Sequence, residues 1–142
     1  MEDYTEAEAL TREFFKRDKF VALAGIKIEK LTREYAVIRA EIAEEHLNAN
    51  GCVQGGMLYT AADFAFAVLG NFLHPATVTQ GGHIQYIRPA YTSYITATAT
   101  ETERAGHNTV SEVIIRDDQD KIVSICHFSG FVKDMDRQEM MK

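Results

Sequence analysis

Apolar and polar residues alternate in three different rhythms along this chain, and each rhythm predicts a different element. From Thr5 to about Arg17, Leu10, Phe14 and Phe15 recur at helical spacing among charged residues, which predicts an amphipathic helix. Thr5 and Glu8 stand at the spacing of a capping box. Phe20 and Val21 follow, and Gly25 ends the pattern. In "IKIEKLTREYAVIRAEI" the period shortens to two, with Ile26 and Ile28 against Lys27 and Glu29 in the first half and Val37, Arg39 and Glu41 two apart in the second. This predicts two short strands with a turn near Thr32–Glu34.

The third rhythm is almost unbroken hydrophobicity. After the polar loop "AEEHLNANGCVQGG", apolar residues surround a helix that starts near Gly55 or Gly56 and stops at His74-Pro75. Met57, Leu58, Ala61, Ala62, Phe64, Ala65, Phe66, Val68, Leu69 and Phe72 leave it no broad polar face. Such a helix belongs inside a protein. Four strands follow. "ATVTQGGHIQYIRPA" carries a glycine pair, Gly81-Gly82, that marks a bulge or a close backbone contact. "YITATATETE" alternates threonine with alanine, and "TVSEVIIRD" and "KIVSICHFSGFVKD" are joined by the Asp-rich turn "DDQD". The order helix, two strands, long helix, four strands predicts an α+β fold, a curled antiparallel sheet wrapped around a buried central helix. Residues 1–142 read as one domain, with 1–21 as an N-terminal helical extension and 134–142 as a flexible tail.

Composition removes several function classes. The formal charge is −6, with no basic stripe, so neither nucleic acid nor an anionic membrane surface is an expected partner. The two cysteines, Cys52 and Cys126, form no CxxC pair, which fits a reducing, cytoplasmic compartment. The acidic start "MEDYTEAEAL" is unlike a signal peptide. The five histidines show no HxxxH or HExxH spacing, so no metal site is expected. No GxSxG, P-loop or dinucleotide fingerprint is present either.

One residue breaks the apolar rhythm. Between His46 and Ile87, Asp63 is the only Asp, Glu, Lys or Arg. A carboxylate in so apolar a setting is costly unless it is paired or used. Its alternatives are a group that holds a loop by hydrogen bonds and a group that does chemistry. Gly55-Gly56 opens the same helix, where first-turn N–H groups lack partners and carry partial positive charge. That pair reads either as a plain turn or as an oxyanion hole that lets a carbonyl approach bare amides. Asp63 lies eight residues further on, about 12 Å along the helix axis. One chain therefore does not easily bring both to one reacting carbon. Two chains with antiparallel, adjacent helices could, so a composite site across a twofold dimer is expected.

The block "HLNANGCVQGGMLYTAADFAFA" resembles the signature of hotdog-fold acyl-coenzyme A thioesterases of the PaaI type, from phenylacetic acid degradation. Asn48, Gly51, Gln54, Gly55, Gly56 and Asp63 fall on the family pattern. "HIQYIRPA" and "GHNTVSEVIIRDDQDKIVSICHFSGFV" resemble its later strands, and the likeness runs over about residues 22–133. The resemblance implies a hotdog fold and hydrolysis of an acyl- or aryl-coenzyme A thioester. It implies Gly55 as the amide that polarises the carbonyl, Asn48 as a positioning group, and Asp63 of the neighbouring subunit as nucleophile or general base. It also implies homodimers that pair into homotetramers, with no metal or redox cofactor; coenzyme A belongs to the substrate. Gln54 departs from the family's usual histidine; it can donate a hydrogen bond but not titrate. Gly56, Thr79, His83, Arg88 and Arg104 complete the candidate substrate-binding set. The two arginines read either as partners of the coenzyme A phosphates or as solvated surface charges, Thr79 either as a holder of the attacking water or as an exposed strand residue, and His83 either as a site residue or as a structural one. Two other activities remain on the same scaffold. One is a non-catalytic acyl-coenzyme A binder, which Gln54 keeps open. The other is an enoyl-thioester hydratase or dehydratase, whose His–acid pattern is missing.

Overall fold

The computed structural model describes residues 3–142. Two helices, α1 (Tyr4–Phe15) and α2 (Lys19–Ala24), precede strands β1 (Ile26–Leu31) and β2 (Ala36–Glu41). A single 3-10 turn at Glu44–His46 leads to α3 (Gly55–Leu73). Strands β3 (Thr77–Tyr86), β4 (Tyr94–Ala105), β5 (Asn108–Arg116) and β6 (Ile122–Val132) follow, and α4 (Arg137–Met141) ends the chain. The six strands form one antiparallel sheet in the order β1-β2-β4-β5-β6-β3, leaving β1 and β3 as its edges. The sheet curls around α3, which is the expected hotdog fold.

The alternation in β4 explains how helix and sheet come close. Ile95, Ala97 and Ala99 face inward and are buried, while Thr96 and Thr98 face out. Small residues on the helix, Ala61, Ala62 and Ala65, are buried in the same core. Phe66, Phe128, Ile38, Leu69 and Ile115 fill the remaining space. Gly82 is a close-approach glycine: a Cβ there would lie 2.4 Å from both Phe128 Cε1 and Tyr59 Oη. The β3–β6 register slips between Thr79 and Gly81, so the glycine pair sits at a bulge as expected. By length and composition α3 could cross a membrane, but most of it is packed inside the sheet.

Three local expectations are corrected. The N-cap of α1 is Asp3, whose carboxylate accepts from Thr5 N at 2.9 Å, so Thr5 lies inside the helix and caps nothing. Asp at this position is the stronger cap and starts the helix earlier. Phe20 and Val21 belong to a separate helix, α2, started by the Asp18 side chain on Val21 N and ended by Gly25 at φ 74°. The 134–142 tail does not hang free. It forms α4, and Arg137, only 6% exposed, donates to the carbonyls of Asn71 at 2.8 Å and Phe72 at 2.6 Å. A guanidinium there satisfies orphan carbonyls and complements the negative end of α3.

Candidate functional site

The loop before α3 is tied down by its own polar groups. Asn48 Oδ1 accepts from Asn50 N at 2.9 Å and Cys52 N at 3.3 Å, and Asn48 N donates to Cys52 O at 2.8 Å. Val53 N donates to Ala90 O, and Gln54 N to His46 O. Gly51 takes φ 82°, a conformation suited to glycine, to close the turn. The loop thus delivers the chain into α3 at a fixed angle. Gln54 is the N-cap: its side-chain oxygen accepts from Gly56 N at 2.6 Å.

That cap sorts the two glycines. The Gly56 amide is committed within the chain, so any contact that Gly56 makes with substrate does not run through its N–H. The Gly55 amide, among the described residues, has no hydrogen-bond partner. It remains a free donor at the positive end of a 19-residue helix. Tyr86 holds the same residue from the other side, its Oη donating to Gly55 O at 2.9 Å. A groove of about 390 Å³ brings Gly55 together with Asn48, Cys52, Tyr86 and Arg88.

Asp63 stands on the one strip of α3 that the sheet leaves partly open. Tyr59, Thr60, Asp63 and Ala67 are half-buried along it. Thr79 Oγ1 donates to Asp63 Oδ1 at 2.8 Å. Burial raises the carboxyl above the ordinary aspartate range, the Thr79 bond opposes this, and the nearby charge of Asp18 adds to the rise. Asp63 does not line the groove that holds Gly55. The two groups of one chain therefore stay apart, as their spacing along the helix requires.

Two expected site residues lie elsewhere. His83 is on β3 but faces away from α3, opposite His127 on the exposed side of the sheet. Strand alternation puts Gly82, Ile84 and Tyr86 on the inner side and His83 on the outer one. Arg104 donates to His74 Nδ1 at 2.8 Å and to Gly106 O at 2.9 Å. His74 in turn meets Glu101 at 2.6 Å, at the far end of α3 and about 27 Å from Gly55. Arg88 does share the Gly55 groove. Tyr86 is the residue that the sequence reading missed. Its signal was present: in "HIQYIRPA" it shares the period-two face of Gly82. Among the described residues, no group of three or more His, Cys, Asp or Glu comes together as a metal site.

Residues 7–132 match the family described as a domain of unknown function, DUF4442. Over 112 residues the chain is 28% identical to the acyl-coenzyme A thioesterase PaaI of Escherichia coli strain K12, an alignment that covers 78% of this chain and 80% of that protein. The solved structure of the E. coli PaaI protein, from the phenylacetic acid degradation operon, superposes with a TM-score of 0.85 at 25% identity, covering 91% of this chain and 94% of that one. A mutant of the phenylacetic acid degradation protein PaaI of Thermus thermophilus gives a TM-score of 0.76 at 27% identity, over 80% of this chain and 98% of its own.

Proposed function

The chain belongs to the DUF4442 family, and from that starting point we propose that it is an acyl-coenzyme A thioesterase of the PaaI type. The observation that carries the reading is the pairing of a free Gly55 amide at the start of α3 with a Thr79-bonded Asp63 on the open strip of the same helix. The two are about 12 Å apart in one chain. Two antiparallel copies of α3 bring Gly55 of one copy beside the carboxylate of the other, giving two equivalent sites. The exposed edge strand β3, with Val78 and Tyr86 each more than 40% exposed, suits continuation of the sheet into the second copy.

In this arrangement the thioester carbonyl accepts a hydrogen bond from the Gly55 N–H. The donor is fixed beforehand by the Gln54 cap and the Tyr86 bond, so it stabilises the developing oxyanion without reorganising. Asp63, held through Oδ1 by Thr79, takes a proton from water with its other oxygen as the water adds to the carbonyl carbon. Collapse of the tetrahedral adduct expels the coenzyme A thiolate and leaves the free acid. Arg88 faces the phosphate-bearing arm. Asn48 acts through the loop that it braces with its side-chain oxygen, beside the Gly55 groove that it lines. The reaction uses no metal or redox cofactor, and the enzyme works as a cytoplasmic dimer or pair of dimers.

Thiol release from a panel of acyl-coenzyme A esters tests this, with wild type and Asp63→Ala run together. Turnover by wild type and a loss of about two orders of magnitude or more in a folded variant support it. Tight binding of an ester with no thiol release would instead make the protein a non-catalytic acyl-coenzyme A binder.

A further inference from the structure

The helix α2 presents its bulk to solvent. Of its six residues only Val21 is buried, while Phe20 is 64% and Leu23 83% exposed. Large apolar side chains left out together mark a surface that something covers. They wall a groove of about 460 Å³, floored by Met57 and Thr60 of α3 and opening at Gln54 and Gly56. That volume is within the range of small-molecule sites. The groove therefore begins at the start of α3, as the Gly55–Arg88 groove does, but lies on the α2 side.

Charge distinguishes the two. A coenzyme A thioester leaves its carbonyl in two directions, one arm polyanionic and the other the acyl group. Arg88 is the charged residue of the Gly55 groove. Glu45 is the charged residue of the α2 groove. His46, at the same rim, is a neutral ring here: Nδ1 accepts from Ala43 N at 2.9 Å, so Nε2 carries the proton and donates to Ala24 O at 2.8 Å. That second bond also ties the end of α2 to the loop before α3. The phosphates are drawn to the arginine side and repelled from the Glu45 side, leaving the apolar groove to the acyl arm.

We propose that Phe20 and Leu23 form the specificity-determining wall of the acyl subsite, and that this subsite takes an uncharged, apolar acyl group of medium length. The assignment rests on the thioesterase reading above. Acyl groups ending in a carboxylate meet Glu45 and are rejected; acetyl is too short to reach the wall.

The test is kcat/KM for acetyl-, butanoyl-, hexanoyl-, octanoyl- and succinyl-coenzyme A. It is run on wild type, the double variant Phe20→Ser/Leu23→Ser, and Glu45→Gln. Wild type should gain about threefold per added methylene from butanoyl to octanoyl. The double variant should lower the octanoyl-to-butanoyl ratio by about tenfold or more, and Glu45→Gln should raise the succinyl-to-butanoyl ratio. A length-independent or acetyl-preferring wild type overturns the inference but leaves the hydrolase. So does a double variant that sediments as a monomer while wild type does not, because the patch is then a subunit contact. If no ester is hydrolysed, the thioethers S-ethyl- and S-octyl-coenzyme A are titrated calorimetrically. Tighter binding of the octyl compound that the double variant abolishes sustains the subsite without the hydrolase, and equal binding of the two overturns it.

Discussion

Asp63 carries a cost that the proposed reaction puts to use. Burial makes its ionised form unfavourable, so folding favours the protonated acid. The native state then binds more protons than the unfolded chain between the ordinary aspartate range and the raised value. Stability on this account is greatest below that window, falls as pH rises through it, and stays reduced at neutral pH. Asp63→Asn should accordingly raise the melting temperature at neutral pH, with the gain closing as the solution is acidified. The same substitution should abolish most turnover, a trade of stability against activity. Activity of wild type should fall on acidification at a pH above the ordinary aspartate range, because only the ionised form accepts a proton. A rise in activity on acidification would contradict this. One turnover in oxygen-18 water should leave the protein unlabelled, and label in the Asp63 carboxylate would make it a nucleophile. Tyr86→Phe deletes one hydrogen bond to Gly55 and should lower kcat about two- to tenfold with little change in KM. At this scale the sequence exposed Asp63 because charge is absent around it. It places Tyr86 on the same strand face as Gly82 but does not show its partner, Gly55, which lies 31 residues earlier in the chain.

The elements were the most legible part, since each carries its period in its own residues. The buried helix was expected from Gly55 or Gly56 to Leu73 and runs over Gly55–Leu73, because the glycine start and the His-Pro stop are local signals. The errors lie where tertiary partners decide. The tail's helix rests on Arg137 reaching carbonyls more than 60 residues earlier, which nothing in "MDRQEMMK" announces. Arg137→Ala should destabilise the fold by about 2–4 kcal/mol, through lost charged hydrogen bonds to the end of α3; chemical denaturation reads this directly. A change within experimental error would mean that α4 contributes nothing to that end. Gln54→Ala removes the cap on Gly56 and should cost about 1 kcal/mol. Gln54→His should retain turnover, because an imidazole nitrogen can accept the same amide. His83 falls on the outer face of β3, which its place after Gly81-Gly82 alone does not announce, since a bulge resets the alternation.

The fold class followed from element order, and the sheet's curl around α3 required no further information. What one sequence could not show directly is whether Gly55 and Asp63, apart on one helix, serve one site. Spacing along the helix pointed to a second chain, and the structure adds the separate grooves, the open strip of α3 and the exposed edge at β3. Sedimentation equilibrium should therefore report at least twice the 16.0 kDa chain mass. A monomer at working concentration would remove the partner carboxylate from the mechanism. The most direct test mixes two inactive proteins, Asp63→Ala and Gly55→Val, each first shown to fold. A Cβ at residue 55 would lie 3.0 Å from Tyr86 Oη, so the valine disturbs the oxyanion donor. After unfolding and refolding together in equal amounts, half of the dimers carry one variant of each kind. In these, one site holds both defects and the other holds neither. Recovery of about a quarter of wild-type thiol release is the predicted result. A mixture no more active than its parents would contradict a site shared between two chains.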